Sequence, residues 1–171
     1  LSTMVANLSA GKRGWDDRWA EFSQWADKGQ KILSRMLALV DEDTNSFNKI
    51  MAAFALPKTT EEEKTIRSAA IQAATKYAIE VPFKTMEKSF AVFEICQAMV
   101  EQGNPNSITD AGVGALAARS AVLGAMLNVK INASSLKDKE FVTSILAKAD
   151  TLATQAQEWE CKILDMVKAK L

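Results

Sequence analysis

WDDRWAEFSQWADKGQKILSRMLALVDEDTNSFNKIMAAFAL, residues 15–56, contains one glycine and no proline. Phe22, Trp25, Ile32, Met36, Val40, Phe47, Ile50 and Phe54 follow one another in steps of three, four and seven. That spacing places side chains along one face of an α-helix. A single amphipathic helix is therefore predicted from about Trp15 to Leu56. Pro57 stops it, because the residue before a proline is pushed out of the helical conformation.

The flanking sequence continues the pattern. Upstream, Leu1 to Leu8 reads as the end of a helix that closes near Gly11. Downstream, Thr60 and Glu63 form a Thr-x-x-Glu capping box, which starts a third helical segment running to about Gln102. Val81-Pro82 interrupts that segment and predicts a kink or a restart, since proline lacks the N–H a helix interior needs. Gly103-Asn104-Pro105-Asn106 is a turn. A fourth helix is predicted from around Thr109-Asp110 to about Asn132. The last runs from about Lys137 to Lys170, with Phe141, Ile145, Leu152, Ala156, Trp159, Ile163 and Met166 along one side. No strand-like alternation and no internal repeat occur. The prediction is all-α: one domain over residues 1–171, an antiparallel bundle of long helices with short connections and a proline-broken third helix.

Composition narrows the function classes. Lys plus Arg and Asp plus Glu number 21 each, so no basic excess marks a nucleic-acid groove or a polybasic membrane anchor. No uninterrupted apolar run approaches the roughly 20 residues of a spanning helix. Cys96 and Cys161 stand far apart inside apolar helical patterns and read as reduced core thiols in a cytosolic protein rather than as a disulfide. There is no histidine, which removes Ser-His and Cys-His catalysis and histidine-ligated metal sites. Acid–base chemistry is left to carboxylates, lysine, tyrosine or bound water.

Three groups of residues stand out. Asp43 falls three residues after Val40, seven after Met36 and four before Phe47, so it places a carboxylate on the apolar stripe of the second helix. Buried there it would be costly to ionise, its pKa would rise, and it would suit a general base. At the edge of the stripe it would be a solvated or lysine-paired surface charge. On the fourth helix Gly114, Ala117, Ala121, Gly124 or Ala125, Asn128 and Asn132 share a face. Small residues there permit close approach of a helix or a flat ligand, and the two amides can orient a heterocycle. Gly11-Lys12-Arg13 follows the first helix. Its cations either complement a helix C-terminus or clamp a carboxylated tail.

Taken in order, these segments resemble a known family. LSTMVANLSAGKR (1–13) resembles the end of that family's first helix and its Gly-Lys-Lys/Arg motif. LVDEDTNSF (39–47) is similar to its Val-Asp-x-Asp segment, and LPKTTEEEKTIR (56–67) to the loop and capping box that follow. EVPF (80–83) resembles its Val-Pro helix break. GNPNSITDAGVGALAARSAVLGAMLNVKINA (103–133) resembles its most distinctive stretch. The family is formiminotetrahydrofolate cyclodeaminase, together with bacterial methenyltetrahydrofolate cyclohydrolases. The resemblance covers essentially the whole chain, but the family's glycine-rich opening turn, and most of the helix it leads into, have no counterpart here.

The resemblance implies an all-helical cytoplasmic homodimer with a folate site between helices near the dimer contact. It implies closure of 5-formiminotetrahydrofolate to 5,10-methenyltetrahydrofolate with loss of ammonia, with no metal and no cofactor beyond the folate substrate. Asp43 matches the family's acid–base aspartate, and Asp41 the aspartate before it. Asn128 and Asn132 are expected to orient the pterin or the formimino group, and Asp110 is a further expected substrate-binding residue. Lys12 and Arg13 are the expected holders of a polyglutamylated tail, with Gly11 beside them as a substrate-binding residue. A formiminotransferase domain or partner is the expected companion. Two rivals stand beside this reading: a cyclohydrolase exchanging water instead of ammonia on the same fold, and a non-enzymatic helical dimerisation module.

Overall fold

The computed structural model describes all 171 residues, and they form six α-helices joined by short connections. They are α1 (Ser2–Ala10), α2 (Trp19–Ala55), α3 (Glu61–Phe90), α4 (Val92–Gln102), α5 (Ile108–Ala133) and α6 (Lys139–Lys168). Single 3-10 turns, Asp16–Arg18 and Pro105–Ser107, lead into α2 and α5. The chain is all-α, as predicted, and its helix ends fall within a few residues of their sequence signals.

Local chemistry accounts for the ends. Leu56 adopts an extended ψ of 148° ahead of Pro57 and terminates α2. The capping box at α3 is complete. Thr60 Oγ1 accepts the Glu63 N–H at 3.2 Å, and Glu63 Oε2 accepts the Thr60 N–H at 3.0 Å. Asp138 caps α6 by accepting the Phe141 N–H at 3.0 Å. That bond and Lys76 Nζ at 2.9 Å hold the Asp138 carboxyl below the usual carboxylate range, with the lysine the larger influence.

The third helical segment is broken, but not at the proline. Helix α3 runs unbroken through Pro82, and the chain turns instead at Ala91, between α3 and α4.

Helix α5 is the centre of the bundle, packing against α1, α3, α4 and α6. Together with the turn before it, Pro105–Ala133 is long and apolar enough to cross a membrane by length and composition alone. In the fold its buried positions Ala111, Ala115, Ala118, Val122 and Val129 belong to the shared core. A Cβ at Gly114 would lie 2.7 Å from Ser2 Oγ and 3.2 Å from Cys96 Sγ, so α1 and α4 pack closely against α5 at this glycine. Cys96 is buried beside Ser2, and that burial pushes its thiol pKa up. Cys161 is exposed on α6 and is not a core thiol.

The burial of α2 differs from its predicted stripe. Phe22 is buried, and Trp25, Ile32, Met36 and Ile50 are half-buried, but Val40 is 63% and Phe47 62% exposed. The residues that face inward are Ala26, Gly29, Leu39, Ser46 and Ala53. Val40, Phe47 and Phe54 stand one position, about 100°, round the helix from Leu39, Ser46 and Ala53. Small side chains let the neighbouring helices approach this face closely, while the bulky apolar face points outward.

Candidate active-site groove

Two adjoining grooves run between α2 and α5, sharing Met36 and Ala121 as lining residues. The first, of about 360 Å³, is bordered by Ser2, Gly29, Ile32, Val92, Gly114 and Ala118, and carries no ionisable side chain. The second, of about 400 Å³, contains the chemistry. Helix α2 contributes Asp43 and Thr44, α3 contributes Pro82 and Thr85, and α5 contributes Ala125 and Asn128. Each volume falls in the range of small-molecule sites.

Asp43 is the only titratable side chain lining the second groove. It is exposed, not buried in an apolar stripe, because the stripe it interrupts is itself the outward face of α2. Its carboxylate takes part in no ion pair within the chain. Glu42 next to it is engaged by Arg35, one of whose nitrogens donates at 3.0 Å, and this hydrogen bond holds the Glu42 carboxyl below its ordinary range. Of the acidic run Asp41-Glu42-Asp43, the middle residue is thus committed to structure, and Asp43 is the member presented to the groove.

The remaining polar groups are less conspicuous in the sequence. Thr44 Oγ1 donates to Val40 O at 3.2 Å and Thr85 Oγ1 to Val81 O at 3.3 Å. Each hydroxyl oxygen thereby keeps lone-pair capacity for a ligand donor. Nothing in the spacing singled out Thr44, Thr85 or Pro82 as wall residues. Their signal was adjacency: Thr44 follows Asp43, and Thr85 lies one turn after Pro82.

The candidate residues divide into two regions. Asp43 and Asn128 line the same groove, one from α2 and the other from α5. Asn132 does not line it. Its Nδ2 donates at 2.8 Å to the backbone oxygen of Ala78. Gly11, Lys12, Arg13 and Asp110 lie toward the other end of the bundle, where the ends of α1 and α4 meet the starts of α2 and α5. From the start of α2 at Trp19 to Asp43 the helix climbs roughly 36 Å, at about 1.5 Å per residue. At the far end Lys12 Nζ rests 3.8 Å over the ring of Trp15, which stacks on Phe22 at 5.5 Å. Lys12 and Arg13 do not border the groove that holds Asp43.

A carboxylate, two hydroxyls and an amide around an apolar floor can accept, hold and return a proton while orienting a flat, hydrogen-bonding ligand. Comparison with known proteins is consistent with that chemistry. The family model described as formiminotransferase-cyclodeaminase matches residues 1–151. A methenyltetrahydrofolate cyclohydrolase from Methylorubrum extorquens is 34% identical over 171 residues, covering all of this chain and 82% of that protein. A formimidoyltransferase-cyclodeaminase from Gallus gallus is 29% identical over 170 residues, and there the match spans only 31% of the relative's length. The crystal structure of a formiminotetrahydrofolate cyclodeaminase from Thermotoga maritima superposes with a TM-score of 0.83. It covers 98% of this chain and 80% of that one, at 23% identity, a level that speaks to the fold.

Proposed function

The chain belongs to the formiminotransferase-cyclodeaminase family, and on that premise we propose that it closes 5-formiminotetrahydrofolate to 5,10-methenyltetrahydrofolate in the Asp43 groove, releasing ammonia. It is an enzyme of one-carbon folate chemistry. The observation that carries the specific reading is the presence of one unpaired carboxylate, Asp43, lining with Asn128 a groove of ligand size.

The reaction asks little more of the protein. N10 attacks the carbon of the protonated formimino group (–CH=NH2⁺) and loses its proton, and the departing amino nitrogen gains one and leaves as ammonia. Asp43 takes the first proton and delivers the second, so a single carboxylate completes the cycle unchanged. Its negative charge also stabilises the cationic amidine formed on ring closure. Asn128, with the hydroxyls of Thr44 and Thr85, orients the folate so that N10 and the formimino carbon lie in near-attack geometry. The chemistry needs no metal and no redox cofactor.

A second reading keeps the groove and exchanges water for ammonia, interconverting 5,10-methenyl- and 10-formyltetrahydrofolate. The Methylorubrum extorquens relative, named for that activity and matched over most of its length, favours it. One assay separates the two: methenyl-folate absorbance is followed with 5-formimino- and then 10-formyltetrahydrofolate. Appearance of the chromophore from the formimino substrate supports the first reading. Turnover confined to the formyl substrate supports the second.

The active form proposed is a cytoplasmic homodimer. What supports it is the apolar surface flanking the groove, where Val40 and Phe47 on α2 and Leu127 and Ile131 on α5 stand exposed in one subunit. Lys12 and Arg13 are proposed to hold a polyglutamylated tail. They lie far along the bundle from Asp43 in one chain, and the pair that serves a given groove is proposed to come from the second copy. A formiminotransferase domain or partner is proposed as the source of substrate, since relatives such as the one from Gallus gallus carry both names on a much longer chain.

A further inference from the structure

The proline inside α3 creates a hydrogen-bonding deficit that α5 makes good. In an α-helix the carbonyl of residue 78 would accept the N–H of residue 82, and Pro82 has none. The proline ring also crowds that carbonyl and tilts it away from the helix axis. Ala78 is buried, and a buried carbonyl left without a donor is destabilising. The donor comes from another helix, as Asn132 Nδ2 lies 2.8 Å from Ala78 O.

This bond sits one turn from the groove on both helices. Asn132 follows Asn128 by four residues on α5, and Ala78 precedes Pro82 by four on α3. Asn128 and Pro82 both line the groove that holds Asp43. We infer that Asn132 is a positioning residue, whose amide bond to the carbonyl orphaned by Pro82 sets the spacing between the α3 and α5 walls and hence the fit of the folate. The inference rests on the groove being the folate site. Proline and asparagine act as a pair. With an N–H at position 82 the carbonyl would close within α3, and no bond would join the walls at this level.

A double-mutant cycle of Asn132→Leu and Pro82→Ala tests the pair by melting and by kinetics. Asn132→Leu alone lowers Tm on the order of 5 °C, the size of one orphaned buried carbonyl in a chain of this length. In the Pro82→Ala background the restored N–H satisfies the carbonyl, and Asn132→Leu costs less than about a third of that shift. KM for 5-formiminotetrahydrofolate rises about tenfold over native in Asn132→Leu, in Pro82→Ala and in the double variant alike, with kcat within about threefold, because the inter-wall tie is lost in all three. Equal Tm losses in the two backgrounds would overturn the pairing. A KM that recovers along with Tm would leave Asn132 a purely structural residue and overturn the positioning role. An unchanged KM in an otherwise active Asn132→Leu protein would do the same. A native protein that turns over neither 5-formimino- nor 10-formyltetrahydrofolate would instead sink the reading of the groove, and the positioning role with it.

Discussion

Helices α2 and α6 are the same kind of sequence put to opposite use. Both are long and amphipathic, and both carry apolar residues at helical spacing. On α6 the apolar stripe is the buried one, since Ile145, Ala156 and Ile163 are in the core with Leu152, Trp159 and Met166 packed against it. On the second half of α2 the bulky apolar residues point outward, and small ones carry the packing. An apolar face is thus a demand for a partner, not a statement of which partner. Helix α6 finds it within the chain. Helix α2 spends its small face on the chain and leaves Val40 and Phe47 beside the groove.

The largest effect that can break this comparison is on the α6 side. Ile163→Ala removes a fully buried side chain and is expected to cost about 2–5 kcal/mol in a denaturant titration. A loss below about 1 kcal/mol would mean that α6 is no more anchored than α2. On the α2 side the expectation reverses. Phe47→Ser together with Leu127→Ser should leave the melting of the isolated subunit within about 0.5 kcal/mol. The same pair should weaken self-association on the order of a hundredfold in sedimentation velocity. A native protein that sediments as a monomer at micromolar concentration would remove the proposed partner of that face.

The smallest effect concerns the far end of the bundle. Lys12→Ala with Arg13→Ala should weaken binding of polyglutamylated folate more than monoglutamate, each exposed contact contributing about 0.2–1 kcal/mol. The difference should shrink as salt rises. Equal, salt-insensitive losses for both ligands would place these cations outside tail binding.

Much of the fold was legible from residue types with a single local meaning. Pro57, the Thr60–Glu63 box and the Gly103–Asn106 turn each act through their own backbone, and each appears where it was expected. The phase of α2 was not legible, because periodicity weighs bulk, and the face that packs is made of Gly29, Ser46 and Ala53. The break after α3 was misplaced because the Ala78 carbonyl that Pro82 leaves without a donor is partnered by Asn132, 54 residues along the chain, a long-range bond no local pattern encodes. Asp43 and Asn128, both singled out in the sequence, line one groove, but Asp43 is not buried as its place on the stripe suggested: it faces solvent in the chain. The separation of Lys12 and Arg13 from Asp43 follows from the length of α2 itself, which a motif-by-motif reading does not measure.

The groove stands or falls on Asp43. Asp43→Asn keeps the side chain's shape and removes its base and its charge, and the exposed, unpaired carboxylate leaves no ion pair to break, so the variant should fold and melt like the native protein. Folate affinity measured by calorimetry should change little, since the loss is confined to the transition state. Conversion of 5-formiminotetrahydrofolate, followed by methenyl absorbance, should fall by about 10²–10⁴-fold. A folded Asp43→Asn protein that binds folate and turns it over at the native rate would contradict the assignment.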